Sequence, residues 1–112
     1  MKLFKPQGYK ALTAAEKSKI CNGCGSKGLG GWLVPDTIYG LNISEACNIH
    51  DWQYSQGATL QDKEYADRIF LNNLVRIIDS GSKCLRWLRR RRALKMHWAV
   101  KTFGEPAFWD KQ

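Results

Sequence analysis

The sequence predicts a mainly α-helical protein of one domain, and three observations carry that prediction. Long segments repeat apolar residues at helical spacing, those segments open at recognisable caps and stop at glycine or serine clusters, and no segment reads as a strand. At 112 residues the chain suits a single domain (1–112) with a modest core, to which five Trp, four Tyr and four Phe bring large apolar volume. The 44% hydrophobic and 25% charged fractions belong to a globular chain rather than a disordered one, and no apolar run reaches membrane-span length.

Taken in order, Thr13-Ala14-Ala15-Glu16 has the form of a capping box and starts a short helix to about Ile20. Cys21 to Gly31 holds five glycines in eleven positions, a loop whose backbone must turn sharply or approach a partner closely. Trp32 to Asn42, with Pro35-Asp36 and Gly40, reads as an irregular connector with room for a turn of helix. Ser44 is placed to cap a helix through Ser55, and Gly57 to end it. Thr59-Leu60-Gln61-Asp62 opens the next helix, whose apolar positions Tyr65, Ala66, Ile69, Phe70, Leu74, Ile77 and Ile78 keep helical spacing to about Asp79. Ser80-Gly81-Ser82 breaks it. A last helix is expected from Lys83 to about Phe103, followed by a tail carrying Phe108 and Trp109. The core then falls within 13–79, and the basic helix 83–103 is added to it.

The net charge of +8 is unevenly placed. Eight of the eighteen basic residues lie between Lys83 and Lys101 with no acidic residue among them, and the rest of the chain carries ten of each sign. An anionic partner is expected for that segment, either nucleic acid or an anionic membrane surface. The segment has two apolar stripes on a helical wheel. Leu85, Leu88, Met96, Ala99, Val100 and Phe103 are expected to pack on the core. Trp87, Leu94 and Trp98, flanked by Arg90, Arg91 and Lys101, suit either a solvated face or a contact with lipid headgroups.

Four cysteines, Cys21, Cys24, Cys47 and Cys84, read as two disulfides in an oxidising compartment and as a metal site or free thiols in a reducing one. A four-thiolate zinc site is disfavoured, since Cys21 and Cys24 form a close pair but Cys47 and Cys84 stand far apart.

The densest chemistry lies in Ala46-Cys47-Asn48-Ile49-His50-Asp51-Trp52-Gln53-Tyr54. Cys47, His50, Asp51 and Tyr54 fall at i, i+3, i+4 and i+7, on one helical stripe. A sulfur, a proton carrier, a hard-cation ligand and a phenol make a poor packing surface and a good active site. A histidine base needs a second group to fix its tautomer, best supplied by a buried carboxylate. Of Asp62, Glu64 and Asp67 on the next helix, Asp67 sits between Ala66 and Phe70 on the apolar side, where a carboxylate is costly unless paired. Loop carbonyls with one carboxylate and water form an all-oxygen site of the kind calcium takes. His97 has no such neighbours and receives no role. The glycine loop lacks the preceding strand and the Gly-Lys-Ser/Thr ending of a phosphate-cradling P-loop.

On these residues the chain resembles the secreted phospholipase A2 family. Gly23-Cys24-Gly25-Ser26-Lys27-Gly28 is similar to its calcium loop, Cys47 to Tyr54 to its active-site helix, and Ala66-Asp67 to the carboxylate of its His–Asp dyad. The similarity spans Cys21 to Ile78. It implies a small, mainly α phospholipase A2-like fold, with two antiparallel active-site helices, an N-terminal calcium loop and an additional basic C-terminal helix. The implied reaction is calcium-dependent hydrolysis of the sn-2 ester of a glycerophospholipid. Carried over by residue, His50 activates water, Asp67 holds its far nitrogen, and the Tyr54 hydroxyl supports Asp67. Asp51 and the carbonyls of Gly23, Gly25 and Lys27 (or Gly28) hold Ca2+, and the Gly25 N–H faces the oxyanion. A Cys24–Cys47 bond would clamp the loop to the helix and leave Cys21–Cys84 as the second pair.

The departures from the family are informative. Only four cysteines are present, and the adjacent cysteine pair of the family's helix becomes Ala46-Cys47. The short His50-to-Asp67 spacing leaves no room for a two-stranded wing, and Trp32 to Asp36 lengthens the path from loop to helix. These traits suit compact bacterial, viral or atypical versions. Met1 to Pro6 lacks the apolar region of an export signal, so the chain is either made without a classical signal or already processed; the resemblance implies action outside the producing cell, with release by lysis, a secretion machine or a virus or phage particle. The alternatives are a non-catalytic member that binds membranes through the basic helix and a basic nucleic-acid module, the latter leaving His50, Asp51 and Asp67 without a purpose.

Overall fold

A computed structural model describes residues 3–20 and 37–109. Pro6, with its fixed φ, leads into a short helix α1 (Gln7–Lys10) that the sequence reading missed and that buries Tyr9. Helix α2 (Ala14–Ile20) opens on the expected capping box: Glu16 N–H donates to Thr13 Oγ1 at 3.2 Å and Thr13 N–H to Glu16 Oε1 at 2.9 Å. The glycine loop lies outside the described residues.

The end of the expected connector is a correction. Thr37–Ile38 (β1) and Leu41–Asn42 (β2) pair antiparallel, Thr37 opposite Asn42 and Ile38 opposite Leu41. Tyr39 and Gly40 turn the chain with φ of 46° and 82°, the two positive values that a tight hairpin turn needs. Tyr-Gly is a weaker turn signal than Asn-Gly, so the local sequence does not mark this turn.

Helices α3 (Ser44–Gln56) and α4 (Leu60–Asp79) follow. Ser44 is the first helical residue rather than the cap, and its N–H donates instead to Asn42 Oδ1 at 2.8 Å. Thr59 and Asp62 form a complete capping box for α4. Their short connection turns α4 back along α3, so that His50 meets Asp67 while Tyr54, a turn further on, meets Lys63, a turn earlier. Beyond Ser82 a 3-10 turn (Lys83–Leu85) leads into α5 (Arg86–Phe103), and α6 (Glu105–Trp109) closes the described chain.

Helix α4 packs against α3 on one side and α5 on the other. Phe70, Leu74, Ile77 and Ile78 from α4 meet Ile43, Ala46 and Cys47 from the start of α3, and Ala93, Met96 and Val100 from α5. Asn73, fully buried in this layer, satisfies both ends of its amide on Phe4: Phe4 N–H donates to Oδ1 at 2.7 Å and Nδ2 donates to the Phe4 carbonyl at 3.0 Å. That exchange pins the N-terminal segment to the core without leaving a buried polar group unpaired.

The stripe of α5 that faces the core is corrected in part. Met96, Ala99 and Val100 are buried as expected, but Leu88 and Phe103 are 37% and 47% exposed, and Arg89 and Ala93 are buried instead. Arg89 Nε and Nη2 donate to the carbonyls of Ile38 and Tyr39 at 3.3 and 2.7 Å, so a charged residue takes the place that Leu88 was expected to fill. The tail is ordered as α6, with Phe108 fully buried against Tyr54 and Ala66.

Candidate active site

The apolar side of the α3–α4 pair is interrupted where three polar side chains converge. His50 is 2% exposed and Asp67 is 3% exposed, and His50 Nε2 lies 2.8 Å from Asp67 Oδ1. The same carboxylate oxygen accepts the Tyr54 hydroxyl at 2.6 Å. Helical spacing produces this convergence: His50 and Tyr54 are one turn apart on α3, and Asp67 faces the gap between them. The imidazole is walled by the Tyr54 ring at 4.1 Å and the Phe70 ring at 4.8 Å between centroids.

Lys63 completes the cluster and was not singled out from the sequence. It is 3% exposed, and its ammonium donates to Asp67 Oδ2 at 2.9 Å and to the carbonyls of Val100 and Lys101 at 3.3 and 3.2 Å. The signal was available, since Lys63 and Asp67 stand at i and i+4. A lysine beside a dyad carboxylate reads as a surface pair until the packing of α5 over it is known.

Burial raises the Asp67 pKa, but the hydrogen bond and charge of His50, with the hydrogen bonds from Tyr54 and Lys63, outweigh it and hold the carboxyl below its ordinary range. An ionised carboxylate only accepts, so Nε2 is the donor of this contact, and in the neutral ring the lone pair falls on Nδ1. Burial, followed by the hydrogen bond to Asp67 and its charge, drives the Tyr54 phenol far above its ordinary pKa, so it remains a donor. Gly104 makes room for this contact: a Cβ there would strike the Val100 carbonyl and come within 2.6 Å of the Tyr54 hydroxyl.

Asp51 is half-buried on α3, one residue beyond His50. Among the described residues no group of three His, Cys, Asp or Glu side chains gathers around a common point. The expected donors, Gly23, Gly25 and Lys27, and the expected Gly25 oxyanion N–H lie outside the described residues.

Cys47 is disulfide-bonded, and its expected partner Cys24 lies outside the described residues. The expected Cys21–Cys84 bond is corrected: Cys84 is a free, exposed thiol on the 3-10 turn before α5. The turn presents that side chain to solvent rather than to the core.

A cavity of about 400 Å³ opens on the other side of Asp67, lined among others by Lys63, Asp67, Arg68, His97 and Lys101. His50 does not line it. His97, given no role from the sequence, borders this cavity, and burial holds its imidazole below the ordinary pKa despite the opposing charge of Asp67.

Comparisons with family models, with curated proteins and with solved structures found no match to this chain. The functional reading therefore rests on the geometry of the buried His50–Asp67–Tyr54 cluster and on the sequence motifs around it.

Proposed function

We propose that the chain is a compact phospholipase A2-like hydrolase that cleaves the sn-2 ester of glycerophospholipids at an anionic membrane surface in the presence of calcium. The observation that carries this reading is the carboxylate–imidazole contact. Asp67 Oδ1 lies 2.8 Å from His50 Nε2 and also accepts from Tyr54, which fixes the tautomer and leaves Nδ1 to take a proton from water. Asp67 then stabilises the imidazolium that forms, and the Lys63 and Tyr54 donors hold the carboxylate in place while it does so.

Asp51 fits a hard cation by its chemistry, being an oxygen donor beside the base, and with the Gly23, Gly25 and Lys27 carbonyls it would hold Ca2+. Calcium, when bound, supplies Lewis-acid polarisation of the ester carbonyl. With His50 2% exposed, an ester reaches Nδ1 only when the packing over the imidazole opens. Phe70 and Tyr54 keep the ring in apolar surroundings, where its contact with Asp67 is stronger than in water.

The test is fatty-acid release from mixed phospholipid vesicles with calcium present. His50→Gln keeps a planar amide in the same space but cannot take the proton. Release at the parental rate by that variant would remove the catalytic role of His50, whereas loss of release with an unchanged circular dichroism spectrum supports it.

A further inference from the structure

A second cavity, of about 320 Å³, lies where the β1–β2 turn meets α5 and is lined by Tyr39, Leu88, Arg91, Arg92 and Lys95. Its charged side chains are all cationic. Arg86 and Arg90 on the same helix converge on Asp79, at 3.6 and 2.8 Å, but among the described residues Arg91, Arg92 and Lys95 pair with no carboxylate. The fold holds this cavity in shape. Arg89 ties the Ile38 and Tyr39 carbonyls to α5, and Tyr39 sits at a φ of 46°, a left-handed conformation unusual for an aromatic residue. Its ring is 54% exposed at the rim.

An apolar stripe borders the cavity. Trp87, Leu94 and Trp98 are 64%, 59% and 58% exposed at the pole of α5 away from the core, and the Arg91 guanidinium lies 5.2 Å from the Trp87 ring centroid. Tryptophans beside arginines suit the headgroup layer of a bilayer, where an amphipathic ring and a phosphate-seeking cation are both satisfied.

We propose that this cavity binds the phosphate of an anionic phospholipid headgroup, with Trp87, Leu94 and Trp98 lying among the neighbouring headgroups. Arg91, Arg92 and Lys95 donate charge-assisted hydrogen bonds to the phosphate oxygens, and the Tyr39 hydroxyl adds a neutral donor. Nucleic acid also offers phosphates, but it leaves the exposed Trp87–Leu94–Trp98 stripe unexplained. The proposal rests on the anionic-membrane part of the proposed function, while the site itself is separate from the His50–Asp67 cluster, so loss of vesicle binding and loss of hydrolysis are distinguishable.

Co-sedimentation of the full chain with phosphatidylcholine vesicles containing phosphatidylglycerol, with chelator present to suppress hydrolysis, reads the site directly. Replacing three cations in R91A/R92A/K95A is expected to weaken binding about a hundredfold. The equally discharged K5A/K10A/R76A, altered outside the basic 83–101 segment, is expected to retain most of it. Tyr39→Gly changes no charge, accepts the backbone conformation, and is expected to weaken binding severalfold. Equal loss in the two triple variants, or no loss with Tyr39→Gly, would overturn the cavity in favour of diffuse charge. Binding of inorganic phosphate or of a DNA duplex through these residues, without binding to vesicles, would overturn the lipid assignment.

Discussion

Lys63 Nζ stands 2.9 Å from Asp67 Oδ2, one turn earlier on the same helix, with both residues only 3% exposed. The pair is a buried ion pair rather than a surface decoration, and the same ammonium also binds two carbonyls at the end of α5. Lys63→Met strands the carboxylate and those carbonyls, at an expected cost of about 3–5 kcal/mol in urea unfolding. K63M/D67N removes both charges together and is expected to cost less than the sum of the single variants. Strict additivity would show that the two groups do not act on one another.

Acid stability follows from the depressed Asp67 pKa. A carboxyl whose folded pKa lies below its unfolded value contributes stability that is present above the unfolded pKa and lost as pH falls through the folded one. The melting temperature should therefore hold through neutral and mildly acidic pH, then fall below the ordinary carboxylate range. Asp67→Asn should be less stable near neutrality and flatter across that acidic window. A parallel profile for the two proteins would assign the acid transition to other groups.

Tyr54 reaches the dyad through its hydroxyl and packs with Phe108 at 5.2 Å between ring centroids. Tyr54→Phe keeps the ring and removes one hydrogen bond to a charged acceptor, an expected loss of about 1.5–3 kcal/mol. Gly104→Ala should disturb the same contact from the other side, because the new methyl group meets the Tyr54 hydroxyl and the Val100 carbonyl. Both variants are expected to lower fatty-acid release, with thermal melts reporting the structural share of the effect.

The cysteines should behave unequally. Cys84→Ser, at an exposed free thiol, is expected to stay within about 0.5 kcal/mol of the parent. Cys47→Ser breaks a disulfide at a buried core position and should cost about 2–5 kcal/mol. Chemical denaturation of the two variants under identical oxidising conditions compares them directly.

Calcium linkage gives a readout that does not depend on turnover. If Asp51 ligates the ion, added calcium raises the melting temperature of the parent but not of Asp51→Asn, since a ligand that binds only the folded state stabilises it. The same substitution, and chelation of the parent, are expected to reduce fatty-acid release to background. An equal calcium shift in both proteins would place the cation elsewhere.

Much of the architecture was legible because local rules and burial agreed. Helices α2 and α4 begin where Thr13-Glu16 and Thr59-Asp62 place reciprocal caps, and the apolar period of α4 runs to Asp79 as expected. His50 and Asp67 could be brought together on paper because each demand was local, a base that needs an orienting group and a carboxylate on an apolar face that needs a partner, and the resemblance added the Tyr54 hydroxyl to them.

The misreadings arose where contacts distant in sequence outweighed local pattern. The hairpin at Thr37–Asn42 depends on two residues taking positive φ and on Arg89, fifty residues away, holding its carbonyls. The same arginine is buried on the core-facing side of α5, while Leu88 and Phe103 face outward. Nothing in the Lys83–Phe103 pattern favours burying an arginine, since the compensating acceptors belong to another element.

What the sequence by itself determined was the principal helices α2 to α5 and the pairing of His50 with Asp67, because helical periodicity, caps and the cost of an unpaired buried carboxylate are short-range properties; the place of Tyr54 beside Asp67 came from the family resemblance. Only the tertiary structure decided that Lys63 belongs to that cluster, that Arg89 lies in the core, and that Leu88 and Phe103 remain outside it. The physical reason is desolvation. Whether a charge or an apolar side chain is buried depends on what another element brings against it, and that pairing is chosen by the fold as a whole.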